Sequence, residues 1–281
     1  MAGWPKGQEV EMIQAGSDLW NNMTTDQVWK NWALSPVMGL TSKQGFLNNR
    51  PLLDFLKNMT DQFDRFYKRI TVSALNFSTG QVEFFNQKNT PLEEFHKAAF
   101  ASTCIPGAFP NYAWEQADGS TKYYSDNFMI GNINPDSAIK QCLELVDDES
   151  KITIDVLLLG NMRDFETYPE HTGGWFENKH HLKSYGNFMR SRQIKYQHSN
   201  SNSIVQWIRR RPNVNWRYIV QQENAVSGLD MLRFSADNTW PLQEEGRKVA
   251  YDILSNPTNY GKEAYLAWNS ESFGQEEDSL L

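Results

Sequence analysis

The stretch Lys151-Ile152-Thr153-Ile154-Asp155-Val156-Leu157-Leu158-Leu159 decides the fold class. It reads as a strand, and its later half is apolar at successive positions. A strand carries that pattern when both of its faces are covered, which is the condition of a central strand in a parallel sheet. Helical patterns flank it. Residues 135–145 open on Pro135 and can bury Ala138, Ile139, Cys142 and Leu145, and residues 241–254 read as a closing helix. Residues 217–220 read as a further strand. Strands alternating with helices, one of them buried on both sides, indicate an α/β fold.

Further towards the N-terminus, the spacing of Val10, Ile13, Leu19, Trp20, Val28, Trp29 and Trp32 predicts two helices, the second capped near Asp26. A loop is expected from Ser35-Pro36 to Gly45. Residues 51–67 read as a helix with Leu52, Leu53, Phe55, Leu56, Met59, Phe63 and Phe66 on one side. The period then becomes two in 70–75 and 81–85, which Asn76-Phe77-Ser78-Thr79-Gly80 joins as a hairpin. A helix over 91–102 follows, with Thr90 as its cap and Glu93-Glu94 in its first turn. Pro106-Gly107-Ala108-Phe109-Pro110 is necessarily irregular, and residues 122–125 form a short strand.

The chain has 281 residues, 27 lysines and arginines against 34 aspartates and glutamates, and a net charge of −7. The acidic balance argues against a nucleic-acid binder, which needs a basic face. An apolar content of 40% and an aromatic content of 13% exclude a disordered chain. The surface is expected to be rich in amides, since there are 25 asparagines and 16 glutamines. Two cysteines, Cys104 and Cys142, make no disulfide framework and read as reduced core residues. No run approaches the length of a membrane span, and the first residues lack the apolar centre of a secretory signal. The protein is therefore expected to be intracellular and cytoplasmic, with a mitochondrial or ciliary address left open. The sequons at Asn22, Asn58 and Asn76 read as accidents of an asparagine-rich chain. No metal or other cofactor is expected: His180 and His181 are adjacent and point to different sides of a helix, so they cannot share an ion well.

The segment 95–139 is the most informative for function. Phe95-His96-Lys97-Ala98-Ala99-Phe100-Ala101-Ser102-Thr103-Cys104-Ile105-Pro106-Gly107-Ala108-Phe109-Pro110 leads to Tyr123-Tyr124-Ser125-Asp126-Asn127-Phe128, and then to Asn132-Ile133-Asn134-Pro135-Asp136-Ser137-Ala138-Ile139. In order and spacing this resembles the second half of the patatin-like phospholipase (lipid acyl hydrolase) family. Ala101-Ser102 and 106–110 match the family's Ala-Ser-X-X-X-Pro-X-X-Phe-Pro element. Asp126 matches the aspartate of its Asp-Gly-Gly or Asp-Gly-Ala element, and 132–135 with Ala138 match its Asn-X-Pro helix start. The hairpin over 70–85 and the helical segment from Leu19 to Trp32 extend the resemblance to about residues 4–160.

The resemblance implies a partial patatin-like three-layer sandwich with a mostly parallel sheet, lacking the nucleophile-elbow strands. Residues 1–160 would form this half-domain, 161–268 an α/β extension and 269–281 an acidic tail. The implied chemistry is a Ser-Asp dyad: a serine on a Gly-X-Ser-X-Gly elbow attacks an acyl ester of a glycerolipid, and Asp126 takes its proton. No serine here has glycine at both flanking positions, however. Ser78 has Gly80 after it but Asn76 before it and reads as a turn residue, while Ser17 lies in an amphipathic helix. No Gly-Gly-Gly oxyanion loop is present, and Gly173-Gly174 lies far downstream. Asn127 and Phe128 stand where the family has small residues, so Asp126 reads as a vestigial dyad aspartate with a structural role.

The chain by itself is therefore expected to be catalytically inactive, a subunit or structural component of a larger assembly whose protein partner completes the sheet. The remaining strands could instead pair anew, or the gene product could be longer. The alternative is an active carboxylic-ester (phospholipid acyl) hydrolase whose serine half comes from another chain or from upstream sequence, with Asp126 as base. A third reading is a module that binds phospholipid or acyl lipid without chemistry. Arg209-Arg210-Arg211, beside Trp207, would then meet anionic headgroups or an acidic partner, against the plainer reading of a solvated helix end.

Overall fold

The computed structural model describes residues 2–32, 43–131, 133–158, 183–221 and 232–273. The readings on Gly173-Gly174, His180-His181, Asn132 and most of the loop before Gly45 lie outside the described residues. The chain is mixed α/β and divides into two compact units, Met1–Ile130 with Gly228–Glu244, and Gly131–Ser227 with Glu245–Leu281.

The first unit begins with helix α1 (Glu9–Asn22) and a single turn, α2 (Thr25–Val28). The short pair β1 (Lys30–Asn31) and β2 (Leu47–Asn48) follows, then α3 (Arg50–Thr60) with Pro51 in its first turn as expected. Its sheet is built from two hairpins, β3 (Thr71–Asn76) with β4 (Gln81–Asn86), and β5 (Tyr112–Glu115) with β6 (Thr121–Ser125). The first is the expected one. The Asn76 carboxamide oxygen accepts the N–H groups of Ser78 and Thr79, and Gly80 supplies the positive φ that closes the turn. The second hairpin was legible only in its β6 half. Its turn is closed by Asp118, whose carboxylate accepts the Ser120 N–H, and by Gly119 at positive φ.

The sheet order is β4-β3-β6-β5, antiparallel throughout. The expectation of a mostly parallel sheet is corrected here. Hairpins of a few residues can only join antiparallel neighbours, because a parallel neighbour needs a long crossover. Helix α4 (Leu92–Ala101) packs on the sheet through Ala98 and Ala101 against Ala74, Trp114 and Tyr124. Its expected cap is also revised: the helix starts after Pro91, and the Thr90 hydroxyl turns to the Asn89 side chain instead. Residues 232–243 return to this unit. Trp29 Nε1 donates to the Leu232 carbonyl, Thr25 and Phe234 exchange two hydrogen bonds, and Gln243 Nε2 donates to the Asn21 side chain.

The second unit contains a short helix, α6 (Pro135–Leu143), and the parallel pair β7 (Thr153–Leu158) and β8 (Asn215–Gln221), with the long helix α7 (Lys183–Arg210) between them in sequence. A single-turn helix, α5 (Phe128–Gly131), precedes α6. The parallel pairing of β7 is as read. The covering of both its faces is not: Ile154, Val156 and Leu158 are buried, while Leu157 is 73% exposed. Asp155, on the same face as Leu157, pairs with Arg217 of β8. The strand alternates after all, because a polar ion pair marks its open side. On the closed side it packs with Ile139, Ile204, Val205, Ile208, Trp216 and Ile219. Ala138 and Leu145, expected in the core, are exposed. Helix α8 (Ala236–Ser255) begins five residues before Pro241 and carries that proline inside it. Helix α9 (Lys262–Phe273) takes the chain through a buried Asn269 to Phe273, and the acidic residues beyond it lie outside the described residues.

Candidate functional site

Asp126 follows the last residue of β6, where the sheet hands the chain to a tight turn. Its N–H donates to the Cys104 carbonyl at 2.9 Å. This bond ties the end of the strand to Cys104, three residues beyond the end of α4. One carboxylate oxygen, Oδ1, accepts the Phe128 N–H at 2.8 Å, a local Asx bond that closes the turn. Burial pushes the carboxyl above the usual aspartate range, and the Phe128 bond only partly offsets this.

The neighbouring groups are held by others. Ser125 is fully buried, and its hydroxyl donates to the Asp126 carbonyl. Asn127 is buried and donates from Nδ2 to the Ser73 hydroxyl at 3.0 Å, so this asparagine bonds across to β3. Cys104 is buried. Its thiol donates to the Phe100 carbonyl, accepts from Asn49 and is pushed up to about 12, chiefly by burial. A thiol at that value is protonated and inert at neutral pH. Both cysteines are unpaired thiols, as read.

The irregular 106–110 segment is fixed from below. Phe46 and Leu47 donate their N–H groups to the carbonyls of Gly107 and Ala108, and Gly107 takes a positive φ. Gly45 lies so close that an added Cβ would fall 2.4 Å from the Phe109 carbonyl carbon. Gly45→Ala is therefore expected to cost about 1–3 kcal/mol, since backbone rather than a movable side chain is in the way. A urea titration checks it, and a loss too small to measure would show that this segment gives way freely.

Other sequence-level candidates separate. Ser78 sits in the β3–β4 turn, and the Ser17 hydroxyl donates to Gln243. The arginine run divides by role: Arg211 is bound by Asp136 and Glu149, whereas Arg209 and Arg210 are exposed, Arg210 lying over the Trp207 ring. Two polar groups, one buried and one half-buried, gave no sequence signal. His96 on α4 is buried with Nδ1 unpartnered, and burial holds its pKa below the ordinary value. Glu83 gathers Asn76, Tyr124 and Lys122. Its burial is outweighed by their hydrogen bonds and charge, so its carboxyl stays low. Cross-strand register alone brings these together, and register is a long-range property.

Among the described residues, no group of three histidines, cysteines or carboxylates could hold a metal, and no helix is long and apolar enough to cross a membrane. Compared with known proteins, the chain matches no protein-family model, and no curated protein is similar enough to count as a match.

Proposed function

We propose that this chain carries the aspartate half of a patatin-like acyl-hydrolase fold and serves, without catalysis of its own, as a subunit of a larger assembly. The surroundings of Asp126 carry this reading. It stands at a strand end bonded to the Cys104 carbonyl, and the Ser125 and Ser73 hydroxyls and the Cys104 thiol are buried or engaged. None of them is displayed on a sharp strand-to-helix turn, as a serine nucleophile must be. The test is a fluorophosphonate probe applied to the native protein with everything that co-purifies. No label is expected on this chain, and stoichiometric labelling of it would overturn the reading.

A second reading has one observation in its favour. Among the described residues, the Asp126 carboxylate accepts a single hydrogen bond, through Oδ1, and burial raises its pKa. Such a group suits a proton acceptor for a serine supplied by another chain or by upstream sequence. It also has a signature in stability. A carboxyl whose pKa is higher folded than unfolded favours folding fully below the unfolded pKa, and that contribution is lost as pH rises through the folded pKa. Asp126 therefore opposes folding at neutral pH, and Asp126→Asn is expected to raise the melting temperature there. In a complex that hydrolyses a p-nitrophenyl acyl ester, the same substitution should abolish turnover. Retained turnover would eliminate the base role, and an unchanged melting temperature would show that burial does not strain the carboxylate.

A further inference from the structure

Helix α1 has the periodicity of a core helix but contains no buried residue. Val10 is 79% exposed, Ile13 62% and Trp20 47%. With Ser17 these positions follow the spacing i, i+3, i+7, i+10, one stripe along a helix about 21 Å long. The helix is held by polar bonds, Glu9 to Lys68, Ser17 within the stripe to Gln243, and the Trp20 carbonyl to Thr239. At its C-terminal end the stripe continues: Trp20 stacks on Phe234, and a shallow groove follows, lined by Asn21, Ala236, Asp237, Trp240 and Pro241. Trp240 is itself 49% exposed.

The charge around this apolar surface is predominantly negative. Helices α1 and α2 and residues 232–244 carry Glu9, Glu11, Asp18, Asp26, Asp237 and Glu244 against Arg233, and Lys68 pairs with Glu9. That field repels an anionic membrane and a second copy of the same acidic face, and it attracts a basic one. We propose that the α1 stripe and the Trp240 groove form a docking surface for a basic amphipathic helix of a partner protein. Its apolar side would lie on Val10, Ile13, Trp20 and Trp240, with its lysines or arginines meeting the surrounding carboxylates. The surface is independent of Asp126 and of any acyl chemistry, so the serine-probe result does not bear on it.

The test uses the full chain and a fluorescent helical peptide of about 18 residues, leucines on one face and lysines on the other. A scrambled peptide of the same composition and a leucine–glutamate counterpart serve as comparators. The leucine–lysine helix is expected to bind at least about tenfold more tightly than either, and to weaken about tenfold as salt rises from low to physiological strength. Ile13→Ser and Asp18→Lys, both at exposed positions, should each weaken binding about fivefold or more with the circular dichroism spectrum unchanged. Asp147→Lys, a charge reversal in the second unit, should leave binding unchanged. Equal binding of the scrambled peptide, or equal loss in Asp147→Lys, would reduce the effect to net charge and overturn the proposal. So would flotation with phosphatidylcholine vesicles or concentration-dependent dimerisation, if either is abolished by Ile13→Ser.

Discussion

Trp114→Ala is expected to destabilise the first unit by about 3–5 kcal/mol. Trp114 is buried at the centre of an aromatic cluster, with ring centroids 5.3 Å from Phe85, 5.8 Å from Tyr124 and 6.0 Å from Tyr112. Such pairs add about 0.5–1.5 kcal/mol each beyond burial of area. The rest of the wall is Ala74, Ala98 and Ala101, residues with no side chain that can swing into a void. The cavity would therefore persist, which places the substitution at the costly end of its class. The Lys97 ammonium, 5.9 Å above the indole ring, would also lose that contact, keeping its pair with Glu94. Hydrogen exchange of the β3 and β6 amides reads this unit separately from the other. A change below about 1 kcal/mol there would mean that α4 closes onto the sheet after all.

Arg211→Met is expected to cost the second unit about 2–4 kcal/mol. Its guanidinium meets Asp136 at 2.6 Å and Glu149 at 2.5 Å, and all three side chains are largely shielded from water. Methionine keeps the aliphatic volume but leaves two carboxylates facing each other without their cation. Burial alone would raise the Asp136 carboxyl, yet bonds from Lys140 and Arg211 hold it below the ordinary range. A carboxyl lowered in the folded state stabilises above its unfolded pKa, and that contribution is lost as pH falls through the folded value. The native protein should accordingly lose stability in acid, and Arg211→Met should flatten that acid limb, with Lys140 sustaining what remains. A variant with the full native acid dependence would show that Lys140 alone sets the carboxyl. The Trp216 indole N–H, bonded to the Arg211 carbonyl, keeps its acceptor and so isolates the effect to the side chain.

What the sequence disclosed tracks the range of the interaction. The β3–β4 turn was legible because Asn76 and Gly80 carry it locally, whereas of the second hairpin only the outgoing strand was legible. Tyr112 and Trp114 were not recognised as its incoming strand, because four residues after a Phe-Pro segment offer little periodicity. The apolar run 156–159 looked two-sided, yet composition cannot say that Leu157 faces outward beside the Asp155–Arg217 pair. The place of Asp126 at a strand end was legible from the short strand read over 122–125. Its chemistry was not: the Cys104 carbonyl, Asn49 and Ser73 that shape its surroundings come from three separate elements. Likewise an unbroken Arg209-Arg210-Arg211 run gave no hint that its last member belongs to Asp136 and Glu149, which lie 75 and 62 positions earlier in the chain.

The return of residues 232–243 to α1 and α2 has a bearing on the order of synthesis. Thr25 waits for Phe234 across 209 positions, and Asn21 waits for Gln243 across 222. At roughly 5–20 residues per second, the ribosome takes on the order of 10–40 s to supply those partners. During that interval α1 and α2 are already translated, with their tryptophans uncovered, while the whole second-unit strand pair is being made. The first unit is thus begun first and finished late. Its closing segment passes directly, through α8, into residues that belong to the other unit. A cut placed after the last strand of the first sheet would leave a nascent intermediate rather than a domain.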